Sequence, residues 1–144
     1  MNKKPGYQSL RKGRVSIPGQ IYHLTTVTKN RQCFFDDFKV ARSLVKCLQS
    51  QPVESLAYVV MPDHFHWLIQ LNEHSGSISQ VMRKVKLSLV KGQGIKWEKG
   101  FYDRAIRRSD DLESIARYIV MNPVRAGLVK TVREYPHWDA IWLY

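Results

Sequence analysis

The longest apolar run of the chain, Leu56 to Leu71, carries Pro62-Asp63 at its middle. Proline removes a ladder donor, so the run reads as two strands, Leu56 to Met61 and His64 to Leu71, joined by a turn or bulge. Ile21 to Thr28, IYHLTTVT, is rich in β-branched and aromatic residues and predicts an earlier strand. Between them Phe38, Ala41, Leu44, Val45 and Leu48 recur at the helical period, which predicts a helix capped by Asp36 or Asp37, running to about Ser50 and stopped before Pro52. Ile78, Val81, Met82, Val85 and Leu89 predict a second helix from about Ser77 to Lys91, ended by Gly92 and Gly94. Phe101 to Arg107 reads as a fourth strand. A third helix opens at Ser109-Asp110-Asp111, with Asp110 and Glu113 in capping-box spacing. It ends near Asn122, because the residue before Pro123 is pushed out of the α region. The remainder to Tyr144 reads as irregular, with Trp138 and Trp142 docking on the body. Strand-helix-strand-strand-helix-strand is the order of a ferredoxin-like antiparallel sheet, an α+β fold. Two helices then cover one face, and the third is free to pack on or beside the other.

Strand side chains alternate with period 2, so His64 and His66 share one face while Phe65, Trp67, Ile69 and Leu71 share the opposite one. Two neighbouring imidazoles on so apolar a strand point to a metal or proton-transfer site; the alternative is a pair of sheet histidines satisfied by backbone partners. On the third helix Leu112, Ile115, Ala116, Ile119 and Val120 form the apolar stripe. Tyr118 lies roughly 120° round from Leu112 on a wheel of about 100° per residue, and Asn122 shares its edge one turn on. A tyrosine beside the stripe either caps the core margin or is presented as a nucleophile.

Charge narrows the chemistry. The chain has 144 residues, 23 Lys and Arg against 12 Asp and Glu, and a net charge of +11. This excess predicts a polyanionic partner, and nucleic acid is the usual one. The length suits one domain spanning residues 1–144. Residues 1–14 form a basic arm, read as extended and mobile, with Arg11, Lys12 and Arg14 among its cations and no acid. Residues 83–108 carry Arg83, Lys84, Lys86, Lys91, Lys96, Lys99, Arg104, Arg107 and Arg108 against Glu98 and Asp103, a net of +7. Trp97, Phe101 and Tyr102 are interleaved there. Cations for phosphates and rings for bases compose a single-strand binding groove, the alternative being a solvated basic face over core aromatics. No stretch is long and apolar enough for a membrane span and the basic start lacks an apolar signal region, so a cytoplasmic protein with no membrane partner is predicted. Cys33 and Cys47 match no metal or redox spacing and read as reduced packing thiols.

These features combine into one reaction. A phenolate is a competent nucleophile toward a phosphodiester. A divalent cation held by two imidazoles and an amide oxygen from Asn122 would offset the phosphate charge, and oxygen-rich ligation favours Mg²⁺ or Mn²⁺. The product would be a covalent phosphotyrosine. YVVMPDHFHWLIQL resembles the His-hydrophobic-His strand of the HUH single-tyrosine nucleases. RYIVMNPVRAGLV, residues 117–129, resembles the tyrosine helix of the REP-associated tyrosine transposases, and RKGRVSIPGQIYHLTTVT resembles their start. The resemblance implies a ferredoxin-like domain that nicks and joins single-stranded DNA at repetitive extragenic palindromes. It implies His64 and His66 as metal ligands, Asn122 completing the site, Tyr118 as nucleophile, and the basic arm reading sequence beside the hairpin. It leaves open monomer or homodimer. Asp63, where many relatives have Asn, would place an extra carboxylate near the metal. Two rivals stand beside this reading: a catalytically silent nucleic-acid-binding sheet, and a metal hydrolase whose nicking survives loss of Tyr118.

Overall fold

In the computed structural model residues 16–107 and 110–142 are described. Five strands, β1 (Ile21–Val27), β2 (Glu54–Met61), β3 (His64–Gln70), β4 (Tyr102–Ala105) and β5 (Trp138–Ala140), form one sheet in the order β4-β1-β3-β2-β5. Every neighbouring pair is antiparallel. The first four strands have the ferredoxin-like arrangement. β5 corrects the sequence reading of an irregular tail: its three residues, Trp138-Asp139-Ala140, add to the free edge of β2. So short a strand gives no alternation to detect, and the edge it occupies is a tertiary feature.

Helices α1 (Phe38–Ser50) and α2 (Ile78–Gln93) pack on one face. The Asp37 carboxylate caps α1 by accepting from the N–H groups of Lys39 and Val40. Ser77 and Gln80 form a reciprocal capping box on α2, which ends at Gly94 in the left-handed region, φ 67°. Phe38, read as part of the α1 core face, is instead exposed at its first turn, its ring 5.1 Å from that of His137. Tyr22 and Leu24 of β1, Tyr58 and Val60 of β2, and Phe65, Trp67 and Ile69 of β3 point into this layer.

α3 (Leu112–Val120) packs on the opposite face, against β2, β3 and β5. Its Ala116, Ile119 and Val120 are buried with Ala57, Val59, Met61 and Leu68 of the sheet, and Leu112 and Ile115 flank them. Asp111, not Asp110, caps the helix, accepting from the Ser114 N–H; Asp110 instead accepts from the Arg107 N–H and pairs with Arg104 at 3.5 Å. Nor does the helix simply stop at Asn122. It breaks at Met121, and residues Asn122–Arg125 form a short helix, α4, with Pro123 in its first turn. Pro at the start of a helix loses only an N–H that has no partner there. Among the described residues no helix is long and apolar enough to cross a membrane.

The placement of α3 rests on a few buried aliphatic contacts, and Ile119 is fully buried among them. We expect Ile119→Ala to lower unfolding free energy in urea by about 2–5 kcal/mol, the usual cost of emptying a packed site. A loss below about 1 kcal/mol would mean that α3 is not held by this layer.

Candidate active site

β3 lies between β1 and β2, and its register places His64 opposite Val27 and Met61, and His66 opposite Thr25 and Val59. Both imidazoles therefore emerge on the α3 face, as the alternation predicts. Their rings meet edge to face with centroids 5.1 Å apart. Each has its Nδ1 engaged. His64 Nδ1 lies 2.7 Å from Oδ1 of Asp63, whose other oxygen faces the Arg31 guanidinium at 3.6 Å. His66 Nδ1 lies 3.0 Å from both His23 Nε2 and Thr25 Oγ1. These contacts fix the ring planes and direct Nε2 of each histidine as the available nitrogen, the arrangement in which outer partners orient metal-binding imidazoles. Asp63 thus holds His64 through its Nδ1.

Burial keeps His66 and His23 neutral. It pushes His66 down to about 3, helped by the nearby charges of His23, His64 and Arg125. It pushes His23 down to about 4, helped by Arg104. Neutral imidazoles are the form that donates a lone pair to a cation. Among the described residues no three His, Cys, Asp or Glu side chains converge on one metal position. A cation on the two histidines would accordingly draw its remaining protein donor from another residue type. Asn122, at the start of α4, carries a side-chain amide. Pro123 has no N–H to offer the carbonyl of Ile119, and Asn122 Nδ2 donates to that carbonyl at 2.8 Å instead. The contact commits the amide nitrogen and leaves the oxygen as the end suited to a cation. As donor types, two imidazole nitrogens and an amide oxygen would suit Mg²⁺ or Mn²⁺ if water and phosphate completed the shell.

Tyr118 stands on the exposed edge of α3, with 62% of its surface accessible. Ile119 and Val120 anchor the turn beside it in the core. The fold brings three residues to the site that sequence reasoning missed: His23 and Thr25 behind His66, and Arg125 beside Tyr118. Arg125 reaches back across the Met121 break: its Nη2 donates to the Tyr118 carbonyl at 2.7 Å, and its guanidinium carbon lies 3.7 Å from the centre of the Tyr118 ring. The signal was present in the spacing, since an arginine two residues after a helix-initiating proline lies one turn beyond the break.

The DNA-binding candidates separate into groups. Arg11, Lys12, Arg14 and Arg108 lie outside the described residues. Arg83, Lys84 and Lys91 are exposed on α2, across the sheet from the histidines. With Lys29, Lys96 and Lys99, Arg83 rims a cleft of about 650 Å³ floored by Met82, Leu87, Val90, Ile95 and Phe101. Lys86 differs from the sequence reading: its ammonium donates to the carbonyls of Glu98 (2.9 Å) and Gly100 (2.7 Å), so it holds the 98–100 loop. Trp97 and Phe101 are also corrected, for they pack against the core instead of standing as base-stacking rings, and Trp97 Nε1 donates to the Lys86 carbonyl at 3.1 Å. Tyr102 is exposed. It pairs with Thr25 and Arg104 pairs with His23, so both sit on the histidine face of the sheet. Arg107 is exposed just beyond β4.

Known proteins converge on the same assignment. The family model described as "Transposase IS200 like" matches residues 16–122. A REP-associated tyrosine transposase from Escherichia coli K12 is 31% identical over 128 residues, covering 85% of this chain and 78% of the relative. A solved REP-associated tyrosine transposase bound to a REP hairpin superposes with a TM-score of 0.73 at 30% identity, over 87% of this chain and 79% of that one. A transposase candidate from Deinococcus radiodurans, at 20% identity, shares the fold with a TM-score of 0.52 over 74% of this chain and 93% of that one. With the histidine strand and the tyrosine helix on one face of its sheet, the chain belongs to the IS200-like transposases, among the REP-associated tyrosine transposases.

Proposed function

We propose that this transposase nicks and rejoins single-stranded DNA beside a palindromic hairpin through a covalent 5′-phosphotyrosine on Tyr118. The observation that carries the reading is the pairing of His64 and His66, each with Nδ1 anchored and Nε2 available, on the face over which α3 presents an exposed tyrosine. The hairpin-bound relative supports hairpin DNA as the partner.

In the reaction the Tyr118 oxygen attacks phosphorus, the O–P bond forms, and the bond from phosphorus to the 3′ oxygen breaks. The phenolic proton is lost and one proton is gained by the departing 3′ oxygen, so charge and atoms balance. The 5′ phosphate stays on Tyr118, and the free 3′ hydroxyl of another strand reverses the step. His64, His66 and Asn122 would hold Mg²⁺ or Mn²⁺, which when bound offsets negative charge on the non-bridging oxygens. Asp63, His23 and Thr25 hold the two imidazoles in the orientation this needs. The exposed cations Arg104 and Arg107 on the site side, and Arg83, Lys84 and Lys91 on α2, supply phosphate contacts. The α2 group lies on the far face, where it would engage duplex or a trailing strand, and Lys86 acts through the loop it ties.

Tyr118→Phe is expected to abolish cleavage of a hairpin oligonucleotide while leaving its affinity within about twofold, because the side chain is exposed and the change removes one oxygen. Cleavage by the Phe protein would assign the nucleophile to water. His64→Ala and His66→Ala should each remove the activity that Mn²⁺ supports, and chelation by EDTA should silence the wild type; nicking indifferent to EDTA would sink the metal assignment.

The metal-free protein should also lose stability in acid. His66 and His23 titrate in the fold far below their ordinary 6.5, at about 3 and about 4. The unfolded chain takes up protons below pH 6.5 that the fold refuses, so each imidazole removes about 1.4 kcal/mol per pH unit across the interval. Unfolding free energy should be level above pH 7 and fall from about pH 6.5 towards 4, with a shallower fall in His23→Gln. A flat profile over that range would show the rings to be solvated.

A further inference from the structure

Three arginines of the described residues are paired with carboxylates: Arg31 with Asp63, Arg104 with Asp110 and Arg117 with Glu113. Arg125 is placed differently. No carboxylate of the described residues pairs with it. Its guanidinium carbon lies over the Tyr118 ring, 3.7 Å from the ring centre, and the group is tied to the Tyr118 carbonyl at 2.7 Å. We propose that Arg125 is a second catalytic residue, whose guanidinium leaves the face of the Tyr118 ring to clamp a non-bridging oxygen of the scissile phosphate.

The inference rests on Tyr118 as nucleophile and adds a role to a residue the sequence pattern did not single out. Three features support it. Arg125 is exposed, so an incoming phosphate can reach it. Its tether is to the backbone of the nucleophile's own residue, so the guanidinium cannot stray far from the phenol. The short helix α4 that carries it packs, like α3, against β2, the strand beside β3. A guanidinium carries five N–H donors in a planar fork, and among the described residues one of them is committed. Arg donors match paired phosphate oxygens, and a charge-assisted bond to phosphate outweighs an exposed contact with a ring. Attack by Tyr118 adds negative charge to the non-bridging oxygens, and a preorganised donor beside them lowers the barrier in that step. Arg125 takes part in no bond making or breaking and exchanges no proton.

A merely structural role is the competing possibility, since Arg125 also caps a carbonyl at the helix break. The two are separated with the full-length chain, Mn²⁺ and a hairpin oligonucleotide whose scissile linkage is either an ordinary phosphodiester or a neutral methylphosphonate. Single-turnover formation of the SDS-resistant adduct is measured for wild type, Arg125→Ala and Arg125→Gln. Gln keeps a donor for the Tyr118 carbonyl but has no charge, so it decides the matter if the Ala variant fails to fold. On the phosphodiester both variants should be slower by about 100-fold, the usual loss for one such donor, with hairpin affinity within about threefold of wild type. On the methylphosphonate the wild-type-to-variant ratio should fall towards one, because the charge that Arg125 offsets is absent. An equal slowing on both substrates, or no slowing on either, would overturn the proposal. Absence of any adduct from wild type would instead fault the phosphotyrosine reading beneath it.

Discussion

β3 is hydrogen-bonded along both edges and covered on both faces, and in that position two imidazoles must find partners or carry the cost of burial without them. The structure meets the constraint on one side of each ring. Nδ1 of His64 is taken by Asp63, and Nδ1 of His66 by His23 and Thr25 from the neighbouring strand. What this leaves is a pair of rings with Nε2 free, each held from behind and unable to rotate without breaking its Nδ1 contact. The apolar remainder of the strand, Phe65, Trp67 and Ile69, faces α1 and α2. A one-residue slip of β3 would exchange the two sets and turn the aromatic residues onto the face where the two histidines stand. The core packing that fixes register therefore also fixes the site.

A second constraint acts across the layer, at Pro123. Its missing N–H ends α3 as a regular helix and leaves carbonyls near Met121 that need donors. Side chains answer: Asn122 donates to Ile119, and Arg125 to Tyr118. The break thus gathers onto one turn the nucleophile candidate, an amide and a guanidinium, and the buried Ile119 and Val120 hold that turn against the sheet. Helix rupture and site assembly have one cause. A continuous helix would carry Arg125 past Tyr118 instead of folding it back over the ring.

Much of this was legible in the sequence because it depends on periodicity. The period-2 pattern placed His64 and His66 together, and the 3.6-residue stripe of α3 placed Tyr118 outside the core. Both hold, as does the strand and helix order of the ferredoxin-like sheet. What escaped was set by contacts distant in sequence. β5 forms because β2 offers an edge, not because Trp138-Asp139-Ala140 announces a strand. Lys86 looked like a phosphate contact, yet two loop carbonyls claim its ammonium. Trp97 and Phe101 had the composition of base-stacking rings but complete the core under α2. His23 gave no signal of its own, because its partner His66 is 43 residues away. Composition reports which groups a surface can offer, and only packing decides which of them face solvent.

The central claim is that Tyr118 becomes covalently bound to DNA, and the sequence around it makes that directly measurable. Cleavage after Arg117 and Arg125 by trypsin yields the peptide spanning residues 118–125, in which Tyr118 is the only hydroxyl-bearing side chain. Wild-type protein incubated with a hairpin oligonucleotide and Mn²⁺, denatured, digested with trypsin and nuclease, and read by mass spectrometry should show this peptide carrying a 5′ nucleotide. A nucleotide on any other peptide, or cleaved DNA with peptide 118–125 unmodified throughout the time course, would contradict the account.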